Sequence, residues 1–250
     1  MTYHNTYSYI LNPPHKITVA LIGCGGTGSQ VLSILARMDL ALQALGHLGL
    51  HVTVFDNDTV SDANIGRQLF SASEIGLHKS VALVNRINRF YGNQWHAETK
   101  AFNDKTVNRN FNIYITCVDD FNTRLKIASL IKHTTKQNHE HAQYYWLDFG
   151  NTNHAGQAIL GTLNAGPDKK EHTPLPTFIE FAKNYKPPRK TKNTPSCSLA
   201  EALEKQDLLI NSTLANAGMQ LLWRLFRKGR TPYRGVILNL ETLTSNPIKI

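Results

Sequence analysis

Short apolar runs alternate with helical patterns along most of the chain. The first run, Val19 to Ile22, ends in a turn that holds four glycines within six residues. After this turn, apolar side chains recur every three or four positions, which predicts an amphipathic helix. The positions concerned are Val31, Leu32, Leu35, Met38 and Leu42. A strand, a glycine turn and a helix in that order are typical of a nucleotide-binding α/β domain.

The alternation of strands and helices continues to the end of the chain. Further strands are predicted at 51–55, 95–99, 112–117, 144–149, 157–160 and 236–240. We expect the strands at 144–149 and 157–160 to be joined as a hairpin. Helices are predicted at 79–90, 105–110, 121–131 and, as one long element, 199–226. This pattern predicts an α/β, Rossmann-like fold: a mainly parallel, twisted sheet with helices on both faces. We expect the first strand near the middle of the sheet.

Two segments lack this periodicity. Residues 1–16 are polar and aromatic, and we expect an N-terminal arm that packs on the body or on a second copy. Residues 164–196 contain six prolines and are predicted to form a long crossover loop within a domain that spans residues 17–250. A loop of this length inside a compact domain is usually functional or disordered.

The spacing of the glycines suits a turn that binds phosphate. Gly23 permits a tight turn, Gly25 lets the backbone approach a phosphate, and Gly28 lets the helix pack closely on the strand. The helix N-terminus then offers free N–H groups to an anion. A turn that merely joins a strand to a helix has the same spacing, so the residues that follow must decide between the two.

Carboxylates follow two of the predicted strands. Asp56 comes directly after the strand at 51–55, where dinucleotide enzymes hold a ribose hydroxyl. Asp119 and Asp120 follow the strand at 112–117. Asp120 directly precedes a predicted helix and is expected to be its N-cap, which leaves Asp119 to face the ligand.

The composition says more about the cellular location of the protein than about its function. Three widely spaced cysteines give neither a disulfide framework nor a structural zinc site. No signal peptide and no run of about 18 apolar residues is visible, so we expect a cytoplasmic protein without a membrane partner. The net charge of +9 suits an anionic partner or ligand. The basic stretch from Lys183 to Lys192 is most simply a solvated loop.

Several polar motifs follow the glycine turn in the sequence. They are Asp56-x-Asp58-x-Val60-x-x-x-Asn64-x-x-Arg67-Gln68, then Ile75-Gly76-x-x-Lys79, then Asp119. Together they closely resemble the ThiF/MoeB/E1 superfamily, from about Ile17 to Leu160 and more weakly around Cys197. The variant resembled most is the ThiF-family protein of bacterial PRTRC gene clusters. That narrower resemblance rests on the short length, on the segment from Asp148-Phe-Gly-Asn151 to Gly161, and on Pro195-Ser-Cys-Ser-Leu-Ala-Glu-Ala-Leu203.

The resemblance implies an adenylyltransferase that uses ATP and Mg²⁺ to activate the C-terminus of a ubiquitin-like or sulfur-carrier protein, and that forms a homodimer. It implies that Asp56 binds the ribose and that Asp119 binds magnesium, which prefers oxygen ligands. Arg67 and Lys79 would neutralise charge on the leaving pyrophosphate. The complete implied nucleotide site is Gly23, Gly25, Gly26, Gly28, Asp56, Asp58, Asn64, Arg67, Gln68 and Lys79.

Two features of the superfamily are missing from this sequence. Relatives often supply an arginine from near the N-terminus of the partner subunit, but residues 1–16 contain none. The zinc-binding cysteine pairs of many relatives are also absent, so no structural zinc is expected.

Cys197 stands at the end of the predicted crossover loop and just before a predicted helix. In thioester-forming relatives, a cysteine of this loop takes the carrier from AMP, and a helix N-terminus makes a thiol a better nucleophile. An incidental loop cysteine explains the residue equally well. Cys24 and Cys117 are expected to be small packed residues.

Two other functions compete with adenylation. A NAD-dependent oxidoreductase would use the glycine turn and Asp56 equally well, but it leaves Arg67, Lys79 and Asp119 without a role. Taken singly, Arg67 can be a surface arginine and Lys79 a helix-face lysine. A non-catalytic nucleotide-binding scaffold, which recruits nucleic acid through residues 183–192, is the second alternative; the resemblance does not favour a nucleic-acid partner.

Overall fold

A large mixed sheet forms the centre of the molecule. The computed structural model describes residues 2–103, 110–138, 144–163, 172–183 and 199–250. The strands are β1 (His4–Asn5), β2 (Ile17–Ile22), β3 (Leu50–Phe55), β4 (His96–Glu98), β5 (Ile113–Thr116), β6 (Tyr144–Asn151), β7 (Ala155–Leu163), β8 (Arg230–Thr231), β9 (Tyr233–Asn239) and β10 (Thr244–Lys249). The α-helices are α1 (Ser8–Leu11), α2 (Gly26–Ala44), α3 (Lys79–Tyr91), α4 (Phe121–Asn138), α5 (Phe178–Ala182), α6 (Leu199–Lys205) and α7 (Ile210–Lys228).

Eight of these strands pair in the order β10-β9-β7-β6-β5-β2-β3-β4. The five strands from β6 to β4 run parallel, whereas β7, β9 and β10 extend the sheet in antiparallel pairs. The strand that leads into the glycine turn, β2, is the central one of the five parallel strands. The Rossmann-like α/β fold expected from the sequence is therefore confirmed, as is the hairpin of β6 and β7.

Side chains of β2 alternate between two apolar layers. Val19 and Leu21 pack in one cluster with residues of α2, α3 and α7. Ala20 and Ile22 face the other cluster, which contains residues of α4 and α5. Because both faces are covered, β2 is an almost continuous apolar run, which is typical of a strand in a parallel sheet.

The N-terminal arm packs on the body of its own chain. Its strand β1 pairs with β8 in a separate two-stranded sheet. Tyr7 and Ile10 are buried in the larger apolar cluster, and His4 is fully buried. The sequence leaves open whether this arm packs on the body of its own chain or on a second copy. The described residues of the arm pack on the body.

Two sequence-based predictions of elements differ from the structure, and one strand of the large sheet was not predicted. The helix predicted at 199–226 is two helices, α6 and α7, because the Leu209 amide turns back to the Asp207 carboxylate between them. The last predicted strand begins earlier, at Tyr233, and a further strand, β10, was missed because most of its side chains are exposed and no apolar run marks it. The helix predicted at 105–110 and most of the crossover loop at 164–196 lie outside the described residues.

No helix in the described part of the chain is both long enough and apolar enough to cross a membrane.

Candidate functional site

The glycine turn connects β2 to α2 with little free space. Gly23 has a φ of +86°, and a Cβ at this position would lie 3.0 Å from the Cys117 carbonyl oxygen. A Cβ on Gly28 would lie 2.0 Å from the Gly23 carbonyl oxygen, so the helix can start here only without a side chain. The N-cap of α2, Gly25, has no side chain to cap the first turn. The first backbone N–H groups of a helix have no partner within the helix, so they remain available to an anion.

Asp56 braces the turn from the end of the neighbouring strand. One carboxylate oxygen accepts a hydrogen bond from the Cys24 backbone N–H at 2.6 Å, and the other accepts from the Asp58 N–H at 2.9 Å. Each oxygen has a second lone pair, so Asp56 can still accept a hydrogen bond from a ligand hydroxyl.

Lys79 begins α3 and is 7% exposed. Its ammonium lies 3.0 Å from the carboxylate of Asp58, whose side chain is largely exposed. This ion pair allows a cation to be buried at a helix N-terminus, where the helix dipole disfavours it. An anionic ligand entering the cavity would meet Lys79 already in place.

Arg67 and Gln68 follow a short 3₁₀ turn at Asp62–Asn64. Burial lowers the pKa of Arg67, and the negative charge of Asp119 opposes that shift. The side chain of Gln68 is 7% exposed and lies beside Gly25, and its carbonyl oxygen has no hydrogen-bond partner in the described part of the chain. Buried polar groups are normally paired, so Gln68 indicates a place for a polar ligand next to the glycine turn.

The two carboxylates that follow β5 have different surroundings. Asp120 accepts hydrogen bonds from the backbone N–H of Thr123 at 2.8 Å and from its hydroxyl at 2.9 Å. This is the N-cap of α4 that the sequence predicts. Asp119 makes no hydrogen bond or ion pair to any described residue and faces the cavity.

These groups meet in one open cavity of about 310 Å³ at the carboxyl ends of the parallel strands. The residues predicted for the site that line it are Gly23, Gly25, Gly26, Asp56, Asp58, Arg67, Gln68, Lys79 and Asp119. Gly28 lies beneath the turn instead. Asn64 does not line the cavity, since its side-chain oxygen accepts hydrogen bonds from Ser61. Its place in the nucleotide site, which the resemblance implies, stays a prediction, and Cys197 lies outside the described residues.

A set of neutral amides on the cavity wall was missed from the sequence. Asn211, at the start of α7, accepts hydrogen bonds from the Thr27 hydroxyl at 2.9 Å and from the Asn151 amide at 3.1 Å. Its own amide nitrogen donates to Gln206 at 2.9 Å, and Gln206 also accepts from Arg67 at 2.6 Å. Asn151 belongs to the Asp148-Phe-Gly-Asn151 stretch of the resemblance but not to the nucleotide site that the resemblance implies. No motif marks Gln206 or Asn211, and the hydrogen bonds of the set join four separate segments of the chain.

A buried ion pair lies among the elements near the cavity, although neither of its residues lines the cavity. Arg124 on α4 donates to Asp148 on β6 through two guanidinium nitrogens, and the Thr116 hydroxyl donates to the same carboxylate. Burial raises the pKa of Asp148, while Arg124 and Thr116 oppose that rise. The Arg124 guanidinium also lies 3.9 Å from the centre of the Phe178 ring. These contacts hold together α4, β6 and the segment after β7.

The two described cysteines are poor candidates for a nucleophile. Cys24 and Cys117 are both reduced, and burial raises the pKa of each thiol well above its usual range. A buried thiol of raised pKa is inert at neutral pH, in agreement with the expectation that both are small packed residues.

The residues present fit magnesium bound together with a nucleotide. Across the described residues, no three His, Cys, Asp or Glu side chains group closely enough to hold a metal without help. Magnesium, however, is usually bound by one or two carboxylates together with substrate phosphates. Asp119, which faces the cavity without a hydrogen-bond or ion-pair partner among the described residues, suits that arrangement.

Comparisons with known proteins agree with this architecture. Selenomethionine PaaA superposes with a TM-score of 0.63 at 16% identity, over 94% of this chain and 64% of its own. E. coli MccB gives a TM-score of 0.60 at 15% identity with ATP and 0.61 at 17% identity with selenomethionine MccA, each over 93% of this chain and 63% of MccB. The chain thus spans slightly less than two thirds of the length of these proteins. At a sequence identity this low, the structural similarity shows a common fold alone. A search of curated proteins finds no match.

A family model gives the firmer assignment. It matches residues 14–247, which include the glycine turn, every described residue of the cavity, and the antiparallel strands except the last two residues of β10. The chain therefore belongs to the ThiF family.

Proposed function

We propose that this protein uses ATP to adenylate the C-terminal carboxylate of a protein or peptide substrate. The observation that carries the proposal is the convergence of Arg67, Lys79 and Asp119 on the glycine turn and the N-terminus of α2 in one cavity. These three residues come from three separate motifs, and a dinucleotide-binding oxidoreductase has no use for them at this position.

The proposed reaction brings two anions together. A carboxylate oxygen of the substrate attacks the α-phosphorus of ATP, the bond to the bridging oxygen breaks, and pyrophosphate leaves with the electron pair. Arg67 and Lys79 stabilise the negative charge that builds on the phosphate oxygens, without transferring a proton. Magnesium, when bound at Asp119, supplies further charge neutralisation at the phosphates.

The remaining residues of the cavity bind the nucleotide. Backbone N–H groups at the start of α2 hold phosphate. The Gln68 carbonyl oxygen beside Gly25, which has no hydrogen-bond partner among the described residues, can accept from a hydroxyl or amino group of the nucleotide. Asp56, at the end of β3, accepts from a ribose hydroxyl. The cavity thereby orients the α-phosphate toward an incoming carboxylate, and orientation of this kind contributes strongly to rate.

We propose a ubiquitin-like or sulfur-carrier protein as the substrate. Members of the superfamily that the motifs resemble act on such carriers, and one solved structure of E. coli MccB holds MccA. The narrower resemblance to the ThiF-family protein of PRTRC gene clusters stays a prediction, as does a cytoplasmic location.

Pyrophosphate exchange tests the activity. The protein is incubated with ATP, Mg²⁺, labelled pyrophosphate and candidate carriers, beginning with small ubiquitin-like proteins encoded near its gene. We expect label to enter ATP only when a carrier with a free C-terminal carboxylate is present, and not when that carboxylate is amidated.

A nucleotide-binding panel separates the alternatives. Binding of NAD but not of ATP would favour an oxidoreductase. Binding of ATP without exchange for any carrier would favour a non-catalytic scaffold, and either result would contradict the proposal.

Thioester transfer to Cys197 is the second proposed step. The Cys197 thiolate would attack the acyl carbon of the adenylate, and AMP would leave. An adduct that dithiothreitol removes should then form with ATP, Mg²⁺ and carrier. Cys197→Ala should lose this adduct and keep pyrophosphate exchange, because adenylation does not need the thiol. An adduct that survives in Cys197→Ala would assign the step to another nucleophile.

A further inference from the structure

Arg67 is held at the cavity by a neutral partner. One of its terminal nitrogens, Nη1, donates to the side-chain oxygen of Gln206 at 2.6 Å. No carboxylate in the described part of the chain lies within ion-pair distance of its guanidinium, and its Nε is buried without a partner. Asp119 acts on it only at longer range. The positive charge of Arg67 is thus fixed in place but not neutralised.

The side chain of Gln206 is itself held by a second hydrogen bond. The same oxygen that accepts from Arg67 accepts from the amide of Asn211 at 2.9 Å. Asn211 is 3% exposed, and its own oxygen accepts from Thr27 and Asn151, so its orientation is determined from three sides. A Cβ on Gly26 would lie 2.6 Å from this amide, which shows how closely Asn211 packs on the glycine turn.

The neutrality of this partner has a chemical consequence. A carboxylate in place of Gln206 would hold Arg67 equally well, but its charge would cancel much of the attraction between the guanidinium and a phosphate. An apolar side chain would leave the charge intact but would not hold the long, flexible side chain in one orientation. An amide oxygen is a hydrogen-bond acceptor that carries no net charge.

We propose that Gln206 is a positioning residue: through its amide oxygen it holds Arg67 toward the ATP phosphates and ties it, by way of Asn211, to Thr27 in the glycine turn. The inference rests on the proposed function, because it is there that Arg67 is assigned to the phosphates. It also gives the short connection between α6 and α7 a role in the site, although Gln206 is 139 positions from Arg67 in the chain.

A variant that removes the acceptor and keeps the shape tests the inference. Gln206→Met is compared with Gln220→Met, the same change on an exposed side chain of α7 that makes no hydrogen bond to described residues. Calorimetric titration with ATP and MgCl₂ should show about a tenfold or greater loss of affinity in Gln206→Met, the scale of one hydrogen bond to a charged group. Gln220→Met should bind like the wild type.

The double variant distinguishes positioning from a direct or structural effect. In an Arg67→Ala background, Gln206→Met should weaken ATP binding no further, because the residue through which it acts is gone. An equal loss in both backgrounds would overturn the inference, as would wild-type affinity in Gln206→Met.

A readout without nucleotide separates this inference from the proposed function. Nuclear magnetic resonance of the arginine side chains reports how fast each guanidinium nitrogen rotates. Rotation at Arg67 should be slow in the wild type and in Gln220→Met and fast in Gln206→Met. Equal rotation in all three would overturn the inference whether or not ATP binds, whereas a wild-type protein that binds no ATP would overturn the proposed function.

Discussion

At the scale of single residues, two adjacent aspartates have different roles. Asp120 is committed to the N-terminus of α4, and Asp119 faces the cavity without a partner among the described residues. The sequence predicts this division, because a residue directly before a helix is a natural cap. The amides of Asn151, Gln206 and Asn211 could not be predicted in the same way, since their hydrogen bonds join residues up to 184 positions apart.

Asp119→Ala should abolish Mg²⁺-dependent formation of AMP and leave the fold intact. The physical reason is that the variant loses a hard oxygen ligand for magnesium, while the cap of α4 is unaffected. The measurement is AMP release with carrier over a range of MgCl₂ concentrations, with circular dichroism as the check of the fold.

Asp120→Asn is the matched control for that experiment, because asparagine also caps helices well. It should retain most of the activity. If Asp119→Ala turns over normally and Asp120→Asn does not, the magnesium ligand has been assigned to the wrong aspartate.

Arg67→Ala should reduce the rate of pyrophosphate exchange by roughly 100-fold or more, on the scale of removing one donor to a developing negative charge. Arg227→Ala is the control, since this exposed arginine of α7 does not line the cavity. Rates are compared at saturating ATP, so that weaker binding does not mask the effect on the chemical step. Equal rates in the two variants would remove Arg67 from the mechanism.

Asp148→Ala should destabilise the protein by about 3–5 kcal/mol, because it leaves the guanidinium of Arg124 buried without its partner. The free energy of unfolding is measured by denaturant titration. Lys205→Ala, which breaks the exposed pair with Glu201, should cost less than about 1 kcal/mol. Similar losses in both variants would mean that the buried pair contributes no more than a surface pair.

At the scale of elements, the period of apolar residues predicts what is buried and misses what is not. Strands β2, β3 and β5 are buried almost throughout, and each was predicted from its sequence. The edge strand β10 is mostly exposed and contains Pro247, so no pattern marks it. The break between α6 and α7, from Gln206 to Leu209, contains no proline or glycine, and apolar periodicity continues on both sides of it.

The docking of the N-terminal arm should weaken in acid. His4 donates from one ring nitrogen to the Thr173 carbonyl oxygen, so its other nitrogen accepts from the Tyr145 hydroxyl, and the ring is neutral. The rings of Tyr7 and His172 also face it. Burial lowers the pKa of His4 from 6.5 to about 4; the hydrogen bond to Thr173 opposes this shift and the nearby His172 adds to it.

Because the pKa of His4 is lower in the folded state, the unfolded state binds the proton more readily between pH 6.5 and pH 4. The stabilisation is therefore fully present above pH 6.5 and is lost as the pH falls toward 4, by about 3 kcal/mol in total. Unfolding free energies measured across this range should fall less steeply in His4→Gln than in the wild type. His15→Gln, a change at an exposed histidine of the same arm, should keep the wild-type slope.

At the scale of the whole molecule, the charges of the cavity do not match its proposed ligand. The described residues that line it include four carboxylates, Asp56, Asp58, Asp119 and Asp120, against two cations, Arg67 and Lys79. ATP is itself a polyanion, so its binding requires further positive charge. Magnesium supplies part of that charge. The described part of the arm, which packs on its own body, places no residue in the cavity lining.

The family resemblance suggests a second copy of the chain, and we expect a homodimer, although residues 1–16 hold no arginine that the partner could supply. Light scattering at micromolar concentration should give twice the mass of one chain, and a monomer under those conditions would contradict the prediction.

If the partner completes the site, pyrophosphate exchange per chain should also fall as the protein is diluted and dissociates. A dimer whose exchange per chain is unchanged after dissociation would instead place the missing charge within the same chain, where the basic stretch at 183–192 is the segment to test. Replacing its lysines and arginine together with glutamine should then weaken ATP binding, whereas a site completed by the partner would tolerate the change.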